Sequence, residues 1–178
     1  KKVHEFMTQN KWVGDYALFM SCKRYFGMKP WLQWDDDDIR SRKPHAILKY
    51  QELLKEDIEF FTYIQFLFYK QWDLLRDHMK KLGVHTIGDI PIYVPIDSAD
   101  IWSEPQFFQL DENYFPKSVA GVPPDYFSED GQLWGNPLYD WDELAKTGYD
   151  WYMKRLRQCA ERYDILRIDH FRGFDEYY

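Results

Sequence analysis

The sequence predicts an α/β fold built around parallel strands, and three observations carry that expectation. Residues 57–82 place Phe60, Ile64, Leu67, Phe68, Trp72, Leu75, Met79 and Leu82 at helical spacing, and Gly83 follows as a C-cap. Val84 to Ile90 is a short apolar run without helical period, which reads as a buried strand that Pro91 helps to end. The same succession returns in an amphipathic helix over 149–162, followed at once by Ile165-Leu166-Arg167-Ile168-Asp169. Helix, strand, long excursion, helix, strand is the order of a βαβ unit with a right-handed crossover. Ligands of such folds collect at the carboxyl ends of the strands. Asp89 and Asp169 both stand at that place.

The remaining elements are read in chain order. Residues 15–26 form a helix that Asp15 caps, with Ala17, Leu18 and Phe26 on its apolar face and Gly27 closing it. Residues 29–44 read as a loop between Pro30 and Pro44. Its run Asp35-Asp36-Asp37-Asp38 lacks the interleaved spacing of a calcium loop and reads as a solvated acidic segment. The helix over 57–82 presents the stripe from Phe60 to Trp72 as core. Residues 95–147 change character, since seven of the nine prolines lie at or after position 91, with Gly121, Gly131, Gly135 and many aromatics. An excursion of this length inside a compact domain is usually functional. Ser98 begins one short helix within it, and a second covers Trp141–Lys146. The helix over 149–162 puts Tyr149, Tyr152, Met153, Leu156 and Cys159 on one face.

Composition excludes several classes. The 178 residues are 45% hydrophobic and 30% charged, a globular mixture. Aromatics make 20%, which excludes disorder over most of the length. The net charge of −7 and the lack of basic patches speak against nucleic-acid binding. No run approaches the ~18 apolar residues of a membrane span. Cys22 and Cys159 read as two reduced thiols of a cytoplasmic protein. No dinucleotide or P-loop glycine motif is present, and the five histidines lack zinc-site spacing, so no metal is expected. A chain that opens on Lys1 and stops at Tyr178, close after a dense polar motif, reads as a segment of a longer protein.

Strand alternation puts Arg167 and Asp169 on one face and Leu166 and Ile168 on the other. The permanent charge of Arg167 favours an ionised Asp169. A carboxylate held this way at a strand end suits a nucleophile toward an anomeric carbon. The same triplet serves equally as a structural ion pair at a sheet rim. Asp89 can hydrogen-bond sugar hydroxyls or cap the turn imposed by Pro91. His170 beside Asp169 is either a local hydrogen-bond partner or part of a ligand surface. Tyr126, Phe127, Gln132, Trp134 and Asn136 combine aromatic faces for the C–H side of a sugar with amides for its hydroxyls. A mini-core beneath a long loop accounts for some of these aromatics but less well for the two amides.

Five segments then carry a resemblance. Ile87 to Val94, Asp97 to Trp102, Val119 to Ser128, Gly131 to Trp141 and Arg167 to Phe174 resemble the 4-α-glucanotransferases, or amylomaltases, of glycoside hydrolase family 77. Five motifs in the family's order make the resemblance specific, and it runs almost unbroken from Gly83 and more loosely from Asp15. It implies part of a (β/α)₈ barrel, about strands three and four with their preceding helices, carrying a loop-rich insertion. The implied divisions are a helical region over 1–83, strand three over 84–94, the inserted subdomain over 95–147, and helix plus strand four over 148–178, all within one incomplete catalytic domain. It implies a retaining double displacement on α-1,4-glucans without metal or organic cofactor. Asp169 matches the nucleophile, Arg167 the arginine that holds it, and Asp89 a carboxylate contacting the donor sugar. His170, Gln132, Trp134 and Asn136 match residues lining the donor and acceptor subsites, and Tyr126 and Phe127 match aromatics on a mobile loop. The family's acid/base glutamate has no counterpart within these residues, so the segment alone is expected to be inactive. An α-amylase-type hydrolase and a non-catalytic carbohydrate-binding module are the alternatives.

Overall fold

The computed structural model of the chain describes residues 1–126 and 128–175. It divides into two compact units, one formed by residues 1–78 with 97–103 and the other by residues 79–96 with the chain from Glu104 onward. The first unit holds α1 (Lys2–Gln9), α2 (Trp12–Tyr25), α3 (Asp37–Arg40), α4 (Pro44–Leu53), most of α5 (Lys55–Lys81) and α6 (Ala99–Ser103). The second holds β1 (Ile87–Ile90), β2 (Val119–Val122), β3 (Gln132–Pro137), α7 (Trp141–Lys146), α8 (Asp150–Ala160) and β4 (Ile165–Ile168). None of the described helices is long and apolar enough to cross a membrane.

In the first unit α2 is the central element, with Val13, Ala17, Leu18, Phe19 and Cys22 all buried. Phe19 meets Trp34 at 5.6 Å and Trp102 at 5.7 Å between ring centroids. The Trp102 indole donates to the Ile39 carbonyl at 3.1 Å, and the Arg42 guanidinium lies 4.3 Å from the Trp102 ring. Asp97 ties the returning segment down, accepting from the Trp31 backbone N–H at 3.2 Å and pairing with Lys23. Burial pushes the Cys22 thiol up to about 12, so it behaves as a small apolar core group.

Three sequence expectations are corrected in this unit. The helix expected from Asp15 starts three residues earlier, at Trp12, and Asp15 accepts from Arg42 at 2.5 Å instead of capping. The acidic run is solvated at Asp35 and Asp37, 76% and 82% exposed, but it is not simply a loop. Asp36 is the N-cap of α3, accepting from the Asp38 and Ile39 N–H groups, and it also takes bonds from Lys49 at 3.1 Å and Tyr50 at 3.0 Å. Burial works against the Asp36 charge, but these donors hold its carboxyl below its ordinary value. The local rule that won is capping: carboxylates stabilise a helix N-terminus whose N–H groups are otherwise orphaned. The third correction concerns α5. Phe60 is 50% exposed and Phe68 52% exposed, Leu75 and Leu82 are also open, and Thr62 is its buried residue. What covers α5 comes instead from α1 and α2, where Phe6 and Trp12 pack edge-on or tilted against Phe66 and Tyr69.

In the second unit β1 and β4 pair in parallel, Ile87 opposite Ile165 and Asp89 opposite Arg167. β1 begins at Ile87, three residues later than Val84, because Thr86 is engaged in a clasp at the strand entry. Its N–H and hydroxyl donate to the Asp164 carboxylate at 2.8 and 3.0 Å, and its carbonyl accepts from the Asp164 and Ile165 N–H groups at 3.1 and 3.0 Å. Gly88 is buried beneath Tyr163, and a Cβ at position 88 would fall inside the Tyr163 ring. Gly88→Ala is therefore expected to lower the unfolding free energy by about 1–3 kcal/mol, read by urea denaturation. An unchanged midpoint would mean that the ring does not hold this position in solution.

The excursion contains more regular structure than a loop. β2 and β3 form an antiparallel hairpin with a register shift between Val119 and Gly121. Close approach of the strands requires Gly121, where a Cβ would lie 2.5 Å from the Gln132 carbonyl oxygen. The expected short helices are present as α6, whose Ile101 N–H donates to Ser98 Oγ at 3.3 Å, and α7, capped by Asp140. The last helix is shorter than expected: Tyr149 adopts φ +60° outside α8, and Met153 is 41% exposed while Tyr152 is buried.

Candidate active site

Parallel pairing brings the two strand-end carboxylates to one guanidinium. Asp89 is the third residue of β1, and Arg167 stands opposite it on β4. Arg167 Nη1 donates to Asp89 Oδ2 at 2.6 Å, and Nη2 donates to Asp169 Oδ1 at 2.8 Å. The strand alternation read from the sequence is correct, because Arg167 and Asp169 meet across one intervening residue. Asp89 turns to Arg167 rather than into the turn at Pro91. The side chains are 57%, 53% and 73% exposed for Asp89, Arg167 and Asp169. Within these residues, ion pairs this open contribute at most about 1 kcal/mol to stability.

After Asp169 the backbone turns sharply. His170 has φ +54° and leads into a 3₁₀ turn over Phe171–Phe174. A left-handed non-glycine residue costs about 1–2 kcal/mol, and here it lies directly beside the carboxylate. The turn carries the His170 ring to Trp134 on β3, edge to face at 5.2 Å. The Trp134 indole N–H donates to Gln132 Oε1 at 2.9 Å. That bond fixes the amide so that the Gln132 Nε2 donors are left for another acceptor. Trp134, Gln132 and His170 thus adjoin the Arg167–Asp169 pair through the residue following Asp169. Asn136 is half-buried further along β3, and Tyr126 is 97% exposed at the hairpin tip. Phe127 lies outside the described residues.

Sequence reading missed the support beneath these groups. Tyr93, four residues after Asp89, is buried and lies 6.2 Å from Trp134 and 5.9 Å from Tyr139, ring to ring. The Tyr139 hydroxyl donates to the Ile92 carbonyl at 2.7 Å. No local pattern in the sequence says which buried residues back a site.

The 4-alpha-glucanotransferase family model matches residues 1–178 of this chain. The chain belongs to this family. A 4-alpha-glucanotransferase of Clostridium butyricum is 48% identical over 96% of the chain and 35% of its own length. One from Thermus thermophilus is 46% identical over 94% of the chain and 33% of its own length. An amylomaltase from Streptococcus agalactiae, solved in complex with acarbose, is 44% identical with a TM-score of 0.94, covering 98% of the chain and 35% of that structure. The chain thus spans about a third of the length of these relatives.

Proposed function

We propose that the protein carrying this chain is a retaining 4-α-glucanotransferase, moving α-1,4-glucan segments to the 4-hydroxyl of an acceptor glucan. The observation that carries the reading is the forked Arg167, which holds Asp89 and Asp169 together at the ends of two parallel strands. Asp169 attacks the anomeric carbon, forming a covalent glucosyl-enzyme as the glycosidic oxygen leaves with a proton from a second carboxyl group. A retaining displacement needs that group ~5–5.5 Å from the nucleophile, and we assign it to the part of the relatives' length that this chain does not span. The acceptor hydroxyl then resolves the intermediate, returning its proton to the same group. Asp89 contacts hydroxyls of the donor sugar. Trp134, His170, Gln132 and Asn136 line the subsites, and Tyr126 meets the glucan from the hairpin tip, with Phe127 assigned by motif position alone. In this reading β1 and β4 are strands three and four of a (β/α)₈ barrel, and residues 95–147 are an insertion over its catalytic face. The high similarity to an amylomaltase that binds acarbose supports the same ligand class here.

The test is the product pattern of the full-length protein. With maltotriose, glucose and oligosaccharides longer than the substrate are expected together. Release of reducing ends without longer products would replace transfer by hydrolysis. Transfer further requires that water be kept from the glucosyl-enzyme, and the Trp134 face is suited to that. Trp134→Ala is expected to raise the ratio of hydrolysis to transfer severalfold, and an unchanged ratio removes Trp134 from this role.

A further inference from the structure

We propose that Tyr93 is a positioning residue, a buried wedge that joins the two strand ends of the site and holds the Trp134–His170 wall beside Asp169. The inference rests on the reading of Asp169 as nucleophile. Tyr93 leaves β1 four residues after Asp89, and its ring is 5% exposed. On one side it stacks on Tyr139, 5.9 Å away at an interplanar angle of 25°. On the other it faces Trp134, whose ring meets His170 at 5.2 Å. The base of the wedge is fixed independently. The Tyr139 hydroxyl donates to the Ile92 carbonyl at 2.7 Å, and Arg155 of α8 donates to that hydroxyl at 3.2 Å.

Gly173 closes the arrangement from the β4 side. A Cβ there would lie 2.8 Å from His170 Cδ2, 2.9 Å from the Tyr93 hydroxyl and 3.0 Å from Ile92 Cδ1. Position 173 therefore admits no side chain while Tyr93 and His170 keep their places. The segment following the Asp89 strand and the turn following Asp169 approach closely here. The influence of Tyr93 runs through Trp134 and His170. Misplacing groups of this kind by about 1 Å can cost 10²-fold in rate.

The experiment is a double-mutant cycle in the full-length protein, reading kcat/KM for maltotriose disproportionation. Tyr93→Leu is expected to lower it by about 10- to 100-fold, and Tyr93→Phe to recover most of that loss, since the ring is what packs. If Tyr93 works through the wall, adding Tyr93→Leu to Trp134→Ala costs less than about threefold more. A larger, additive loss is what a merely structural tyrosine gives, and it would overturn the proposal. Should Tyr93→Leu fail to fold, Gly173→Ala is read in the same cycle against His170→Ala, with the same threshold. Asp169→Asn separates the two readings. If it is inactive while Tyr93→Leu keeps wild-type kcat/KM, positioning fails and the assignment of the nucleophile stands. If Asp169→Asn is fully active, that assignment fails and the inference falls with it.

Discussion

Asp169→Asn in the full-length protein is expected to reduce glucan transfer by about 10³-fold or more while leaving glucan binding within a few-fold of wild type. An amide of the same shape keeps an oxygen for Arg167 Nη2, which now sits 2.8 Å from Asp169 Oδ1. The local geometry is thus preserved and only the negative charge of the carboxylate is lost. In the proposed reading, binding rests on a different set of groups, the Trp134 and His170 rings and the Gln132 amide, whose own chemistry the substitution leaves unchanged. Rates are measured by maltotriose disproportionation, and affinity by calorimetric titration with a maltooligosaccharide. Retention of full activity would mean that another group forms the glycosyl bond. Loss of binding in parallel with activity would instead make Asp169 a sugar ligand.

Trp102→Ala carries the largest expected effect on stability, a loss of about 3–5 kcal/mol. The indole is 1% exposed, packs against Phe19 and Trp34, supplies the donor for the Ile39 carbonyl and lies under Arg42. Truncation removes all of these at once and leaves a cavity that surrounding rings, locked against one another, cannot close. It also releases the segment 97–103 from the core to which it returns. Urea unfolding followed by the fluorescence of the remaining tryptophans measures the loss. A decrease below about 1 kcal/mol would show that the first unit relaxes around the missing side chain.

What could be read from the sequence followed the range of each physical signal. The β1–β4 pair was legible because period-free apolar runs behind amphipathic helices state their environment locally. Arg167 and Asp169 were legible because alternation in a strand is strict, and the structure joins them at 2.8 Å. The acidic run was misread because charge density suggests solvent, whereas one carboxylate at the right offset, Asp36, becomes a helix cap. The α5 stripe is a different case, since a chain spanning about a third of its relatives' length does not itself hold everything that could cover a helix face. Periodicity tells which residues share a face but not whether anything covers it, and Phe60 and Phe68 stand open. The hairpin escaped notice because its strands are short and rich in glycine and proline, which propensity assigns to loops. Tyr93 and Gly173 could not have been found locally, since their importance is a contact between segments about eighty residues apart in sequence.

The clasp between Thr86 and Asp164 has a bearing on how this family can change. It stands three residues before the Asp89–Arg167 pair, about 10 Å along the strand, and it sets which residues of β1 and β4 face each other. A slip of one residue would turn every side chain of one strand to the opposite face, parting Arg167 from Asp89. Two modest side chains thus keep Asp89 opposite Arg167. Changing either alone would loosen the register, so substitutions at positions 86 and 164 are expected to arrive as matched pairs among relatives.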